Sequence, residues 1–140
     1  MIAEYEFPVV LGRDFAGTVE LTSLGVTAFQ PGDLVYGFVP PWNGTVHAGT
    51  WAESIVLPGG DFAARVPTGV SLEVAGVAPL AVITAMDAVD SVALAPGETV
   101  LVVGATGGVG TVAVQLAARA GATVIAPGSP EDETYLRELG

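Results

Sequence analysis

The pattern of apolar and polar positions divides the chain into two unlike stretches. Through residue 67 the apolar side chains come in short runs: FAGTVEL (15–21), DLVYGFV (33–39), TWAESIVL (50–57) and FAARV (62–66). They are rich in Val, Phe, Tyr and Thr, so each is expected as a β-strand. Between them stand Pro31-Gly32-Asp33, the segment Pro40 to Gly44, and Pro58 to Asp61. Proline presets one turn dihedral and glycine supplies the positive one, so these segments read as turns. The prediction for this half is antiparallel, barrel-like β structure.

From Pro67 onward the spacing becomes helical. Ser71 is the expected N-cap of LEVAGVA, with Glu73 in its first turn. Pro79 suits the first position of a second helix, LAVITAMDAVDSV (80–92), whose Asp87 and Asp90 should face water. After a turn at Ala95 to Glu98 come 20 residues without a charge, Thr99 to Ala118. That is long enough for a membrane-spanning helix, but its internal pattern argues against one. TVLVV (99–103) is short and β-branched, as expected of a strand buried on both faces of a parallel sheet. GATGGVG (104–110) then places four glycines within seven residues, each costing a helix about 1 kcal/mol relative to alanine. TVAVQLAARA (111–120) is helical by composition, Gly121 fits the position after its end, and ATVIAP (122–127) repeats the buried-strand pattern. The predicted element is a strand–helix–strand unit of the kind that builds parallel sheets.

Composition narrows the function classes. The chain has 140 residues, 51% hydrophobic and 14% charged, enough apolar material for a packed core. A formal charge of −11 argues against nucleic acid and anionic membrane surfaces as partners. Cysteine is absent, which removes disulfides, thiolate zinc sites and cysteine nucleophiles. Residues 1–6 hold two glutamates and no basic segment, so no secretion signal is expected and the expected compartment is the cytoplasm.

The glycine-rich turn carries the clearest chemistry. In the register G-x-G-x-x-G, Ala105 stands at the first glycine position while Gly107 and Gly110 fill the other two. Between a strand and a helix, such glycines let backbone approach a pyrophosphate, which the helix N-terminus attracts. The second strand runs out through Ala126-Pro127-Gly128-Ser129, small and neutral where an NAD site usually has an acid. Glu131 and Asp132 follow, with no Lys or Arg beside Ser129; the neutral strand end favours NADP(H) over NAD(H).

Five blocks occur in the order and spacing of a known family: FPVVLGRDFAGTV, PGDLVYGF, GTWAESIVLP, LAVITAMDAV and VLVVGATGGVGTVAVQLAARAGATVI. The chain resembles the medium-chain dehydrogenase/reductases, and among them the zinc-independent quinone oxidoreductase (zeta-crystallin-like) branch. The resemblance implies an α/β chain: a partial GroES-like β-barrel domain over 1–79, then a connecting helix and the first βαβ half of a Rossmann fold over 80–140. It implies hydride transfer from NAD(P)H to quinones or α,β-unsaturated carbonyls. The cofactor residues it implies are Thr84, Ala105, Thr106, Gly107, Gly108, Val109, Gly110 and Ser129, with the amides of 107–110 around the pyrophosphate and Thr84 near the nicotinamide. Tyr36, Trp42 and Asn43 are the implied substrate contacts. No catalytic acid is nominated; water or a ribose hydroxyl delivers the proton.

Zinc is not expected. Zinc-dependent relatives carry G-H-E where this chain has Gly12-Arg13-Asp14, and His47 stands alone in a glycine-rich loop. Trp51 is expected in the core, Asp14 buried, Arg13 paired with a carboxylate, and Asp33 within its turn. The loop from Pro127 to Glu133 lacks the basic residue usual in the family. Family members are much longer, so the chain is expected to be a piece of an oxidoreductase whose unfinished sheet edge leaves it self-associating or poorly stable, with a homo-oligomer as the expected assembly. Two further readings share these blocks: the enoyl-reductase module of a polyketide or fatty-acid synthase, and a dinucleotide-binding remnant without catalysis.

Overall fold

A computed structural model describes residues 7–40, 49–58 and 62–140. The chain divides into two compact units, Met1–Leu80 and Ala81–Gly140.

The first unit is built on three antiparallel strands in the order β1-β2-β3: β1 Asp14–Thr18, β2 Leu34–Phe38 and β3 Ala63–Arg65. In register, Asp14 faces Phe38, Ala16 faces Tyr36, and Tyr36 faces Ala64. Helix α1, Leu72–Val77, lies on β1 and β2, and Ser71 caps it by accepting from Val74 N at 3.4 Å. Gly76 of α1 faces Ala16 of β1, and a Cβ there would make an ordinary contact at 3.4 Å. Val35, Phe38, Val39 and Ala75 form the buried centre, and Phe62 meets Phe38 edge to face at 5.3 Å.

Four expectations need correction here. TWAESIVL forms no strand: Thr50 and Trp51 each donate once to Gly12 O and Leu11 O, and then Ala52 N turns back onto Thr50 O. That three-residue γ-turn ends the extended run before a ladder forms. Trp51 is 75% exposed, lying over Gly12 rather than in the core. Asp14 is half-buried, and its Oδ1 accepts from Leu80 N at 2.7 Å, so it caps the next helix. Arg13 donates to the Val39 carbonyl at 3.2 Å instead of pairing with a carboxylate. Asp33 does belong to its turn: it accepts from Gln30 N and pairs with Arg65 at 2.7 Å.

The second unit contains most of α2, Pro79–Ser91, with proline at its first position and Asp87 and Asp90 exposed. It continues with β4 Thr99–Leu101, α3 Gly108–Arg119, β5 Thr123–Ile125, a 3₁₀ turn Pro130–Asp132 and α4 Glu133–Glu138. Strands β4 and β5 pair in parallel, Thr99 with Thr123, Val100 with Val124 and Leu101 with Ile125. Ala85, Ala105, Val114 and Ala117 are its buried residues. The strand–turn–helix–strand order is as the sequence predicts, but the strands are not covered on both faces. Val100 and Val124 turn inward, whereas Leu101, Val103 and Ile125 are more than half exposed. Helix α3 packs on β5. Among the described residues, no helix is long and apolar enough to cross a membrane.

Candidate functional site

Strand β4 runs into the glycine-rich turn. Gly104 takes φ +75°, a conformation that side-chain-bearing residues rarely adopt, and its carbonyl accepts from Gly107 N at 3.0 Å. Helix α3 then starts at Gly108, three residues earlier than its composition suggests, with Gly107 as an extended N-cap that offers no side chain. The helical bonding begins with Thr111 N to Gly107 O at 2.8 Å. The amides of Gly108, Val109 and Gly110 therefore lead the helix with no cap, and helix geometry aims them outward along its axis. Gly107's amide is turned back onto Gly104, so three of the four amides from 107 to 110 stand open at the start of α3.

Each glycine has its own reason. A Cβ on Gly110 would overlap the backbone of Gly104 and Ala105. Glycine there lets the helix close onto the turn. A Cβ on Gly108 would meet only Ala81 at 3.9 Å, so its outer face is open. Thr106, Gly107, Gly108 and Val109 are exposed. Ala105 is not part of that surface. It is fully buried, and its carbonyl accepts from Thr111 Oγ1 at 3.3 Å, so it supports the turn from below. Thr84 is exposed on α2, one helical turn beyond Ala81. A hollow of about 590 Å³ follows the turn, lined by Val103, Gly107, Gly108 and Val109 together with Val89 and Val92 of α2.

The second loop of the site leaves β5. Parallel strands send both of these loops from the same edge of the sheet, about 5 Å apart at their roots. Ser129 begins the 3₁₀ turn with a capping box: Ser129 N and Ser129 Oγ both donate to Asp132 Oδ2, at 3.0 and 2.7 Å. These bonds, the hydroxyl's foremost, hold the Asp132 carboxyl below the usual carboxylate range. A second hollow, about 460 Å³, lies here, lined by Ala126, Gly128, Ser129, Glu133 and Arg137. Arg137 is bound to Glu133 Oε1 through two nitrogens, at 2.9 and 3.0 Å. Tyr135 on α4 meets the first turn of α3. Its Oη lies 3.0 Å from Thr111 Oγ1, and with the threonine proton on Ala105 O, the tyrosine donates.

The structure thus brings Thr106, Gly107, Gly108, Val109 and Gly110 together and sets the Ser129 loop beside them. Tyr36 is half-buried on β2 in the first unit; Trp42, Asn43 and His47 lie outside the described residues. Sequence reasoning missed Thr111, Tyr135 and the role of Asp132. The Ser-x-x-Asp spacing of 129–132 was the available signal for the capping box. Nothing in the one-dimensional pattern announces the Thr111–Tyr135 contact. Among the described residues, no three His, Asp or Glu side chains cluster as metal ligands.

Residues 1–68 match the alcohol dehydrogenase GroES-like domain. The chain is 37% identical over 140 residues to the mouse (Mus musculus) NAD(P)H oxidoreductase RTN4IP1, mitochondrial, covering 96% of this chain and 34% of that protein. It is 42% identical over 137 residues to a stretch of the polyketide synthase GfsB of Streptomyces halstedii, covering 97% of this chain and 2% of the synthase. Among solved structures, the quinone oxidoreductase of Coxiella burnetii superposes with a TM-score of 0.87 at 32% identity, over 96% of this chain and 41% of that one. The chain spans about a third of the mouse oxidoreductase's length.

Proposed function

From the match of residues 1–68 to the alcohol dehydrogenase GroES-like domain and the likeness to these oxidoreductases, we propose that the chain is a medium-chain dehydrogenase/reductase, the cofactor-cradling part of a zinc-independent oxidoreductase that reduces quinones or α,β-unsaturated carbonyls. The observation that carries this reading is the uncapped start of α3. Three amides, Gly108 to Gly110, lead a 12-residue helix on a turn held open by Gly104 and closed tightly by Gly110. Donors so arranged suit the pyrophosphate of a nicotinamide dinucleotide, and the residues present fit that group.

When bound, the dinucleotide supplies the hydride. The chain's own work is to hold and orient it. Gly108, Val109 and Gly110 donate to the diphosphate, Thr106 and Gly107 shape the approach, and Thr84 borders the nicotinamide side from α2. Tyr36, Trp42 and Asn43 are the proposed substrate contacts. No metal takes part: the chain has no cysteine, and Arg13-Asp14 stands where zinc-dependent relatives have His-Glu. The proton comes from water or a ribose hydroxyl. Neutral Ala126, Pro127 and Gly128 are compatible with NADP(H); the charge that decides between the dinucleotides sits further on, in the Ser129–Asp132 turn. Partners are small molecules and further copies of the chain, with neither nucleic acid nor membrane involved. The proposed compartment is the cytoplasm, although the mouse relative is mitochondrial by name; imaging a tagged protein decides between them.

The test is to mix the purified protein with NADPH or NADH and a series of small quinones and enones, and to follow the nicotinamide absorbance. Oxidation of the dinucleotide is the expected result, and none across the series overturns the enzyme reading. Binding without turnover points to a non-catalytic remnant. The similarity to a polyketide synthase stretch favours a second reading, an enoyl-reductase module; turnover of carrier-bound enoyl thioesters but not of free quinones selects it.

A further inference from the structure

We propose that Asp132, held in place by Ser129, makes this chain prefer NAD(H) over NADP(H); the proposal rests on the dinucleotide reading above. The placement comes from the parallel pairing of β4 and β5. With Leu101 beside Ile125, the glycine turn and the Ser129 loop leave the same sheet edge, and the Thr111–Tyr135 contact joins the helices that follow them. A dinucleotide whose pyrophosphate lies on Gly108–Gly110 extends its adenosine ribose toward the loop after β5. Asp132 follows Gly110 by 22 positions, close to the separation at which this fold presents an acid to that ribose.

Hydrogen bonding at the loop distinguishes the two cofactors. Ser129 directs both of its donors to Asp132 Oδ2, while Oδ1 takes no protein donor among the described residues. With its proton on Asp132, the Ser129 hydroxyl can only accept. A ribose 2′-hydroxyl is a donor and finds acceptors there. A 2′-phosphate has no proton to offer at neutral pH and carries close to two negative charges toward an ionised carboxylate.

Among the described residues, one cation borders the hollow, and a carboxylate already pairs it. The chain's four basic residues are all arginines. That cation is Arg137, in an exposed pair with Glu133 whose carboxylate offsets its charge. Arg119 stands at the far end of α3, about 16 Å along the axis from Gly108. Arg13 and Arg65 are engaged within the first unit by Val39 O and Asp33. The neutral end of β5 removes a charge at Ala126–Gly128, and the capping box returns one a few residues later.

Calorimetric titration of the 140-residue protein with NADH and with NADPH tests this without any turnover. NADH should bind about tenfold more tightly or better, the scale of one like-charge contact in a partly solvated site. Asp132→Asn should bring the two affinities within about threefold, chiefly by strengthening NADPH, and Asp132→Lys should invert the order. Equal affinities, or tighter NADPH, in the unaltered protein overturn the proposal whatever the variants do. An unchanged ratio in both variants removes Asp132 as its cause. If NADH and NADPH bind equally, the dinucleotide reading stands and only this inference falls; if neither binds, both fall together.

Discussion

Gly108 and Gly110 differ by two positions and should respond oppositely to the same methyl group. Gly110→Ala forces a Cβ into the backbone of Gly104 and Ala105, which cannot give way as a side-chain end can. It is expected to cost about 1–3 kcal/mol, read as a lower melting temperature. Gly108→Ala meets only Ala81 at 3.9 Å, so the melt should hardly move, while dinucleotide affinity drops because the methyl stands among the leading amides. Asp33 gives a residue-scale prediction in pH. Its carboxyl is held low by Gln30 N and then by Arg65. A lowered folded value contributes stability above the unfolded value, about 3.9, and loses it as pH falls through the folded one. Urea midpoints should therefore be flat for this group above about pH 5 and decline below about 4. In Asp33→Asn that part of the decline should disappear. Asp33's turn was legible because Pro-Gly-Asp has one local solution. Trp51 was not: its place over Gly12 depends on where residues 11 and 12 lie, far away in sequence.

At the scale of elements, α2 shows how a local signal and a distant partner combine. Pro79 marks the start by itself, having no N–H to satisfy. The following amide, Leu80 N, finds Asp14 Oδ1, 66 residues earlier. Asp14→Ala should cost about 1 kcal/mol in thermal or urea unfolding and fray the first turn of α2 in hydrogen exchange, with the other elements intact. The glycine turn was legible as strand, turn and helix because buried β-branched runs and glycine clusters have few alternatives. The register of α3 was not. Composition placed its start at Thr111, and the backbone placed it at Gly108 because glycines there can lead a helix when its side packs on β5. TWAESIVL failed as a strand for the complementary reason, since a β-rich composition cannot supply a partner ladder.

At the scale of the whole molecule, β4 and β5 form a two-stranded parallel sheet, with Leu101, Val103 and Ile125 exposed. Parallel sheets are ordinarily covered on both faces and bordered by further strands. The 140-residue protein should therefore self-associate, with a sedimentation coefficient that rises with concentration. Leu101→Lys with Val103→Lys should reduce the association, and a concentration-independent monomer with a sharp melt would contradict the prediction. The amino-acid order alone determined the succession of turns, the switch from strand to helical spacing after Pro67, and the glycine-rich turn with its flanking elements. Those features arise from dihedral preferences and short-range periodicity, which neighbouring residues carry among themselves. Only the tertiary structure decided which amides of that turn stay open, that Ala105 lies beneath the turn, and that the Ser129 hydroxyl is turned onto Asp132. These depend on which donor reaches which acceptor in space, and strand pairing, not sequence neighbourhood, sets that distance.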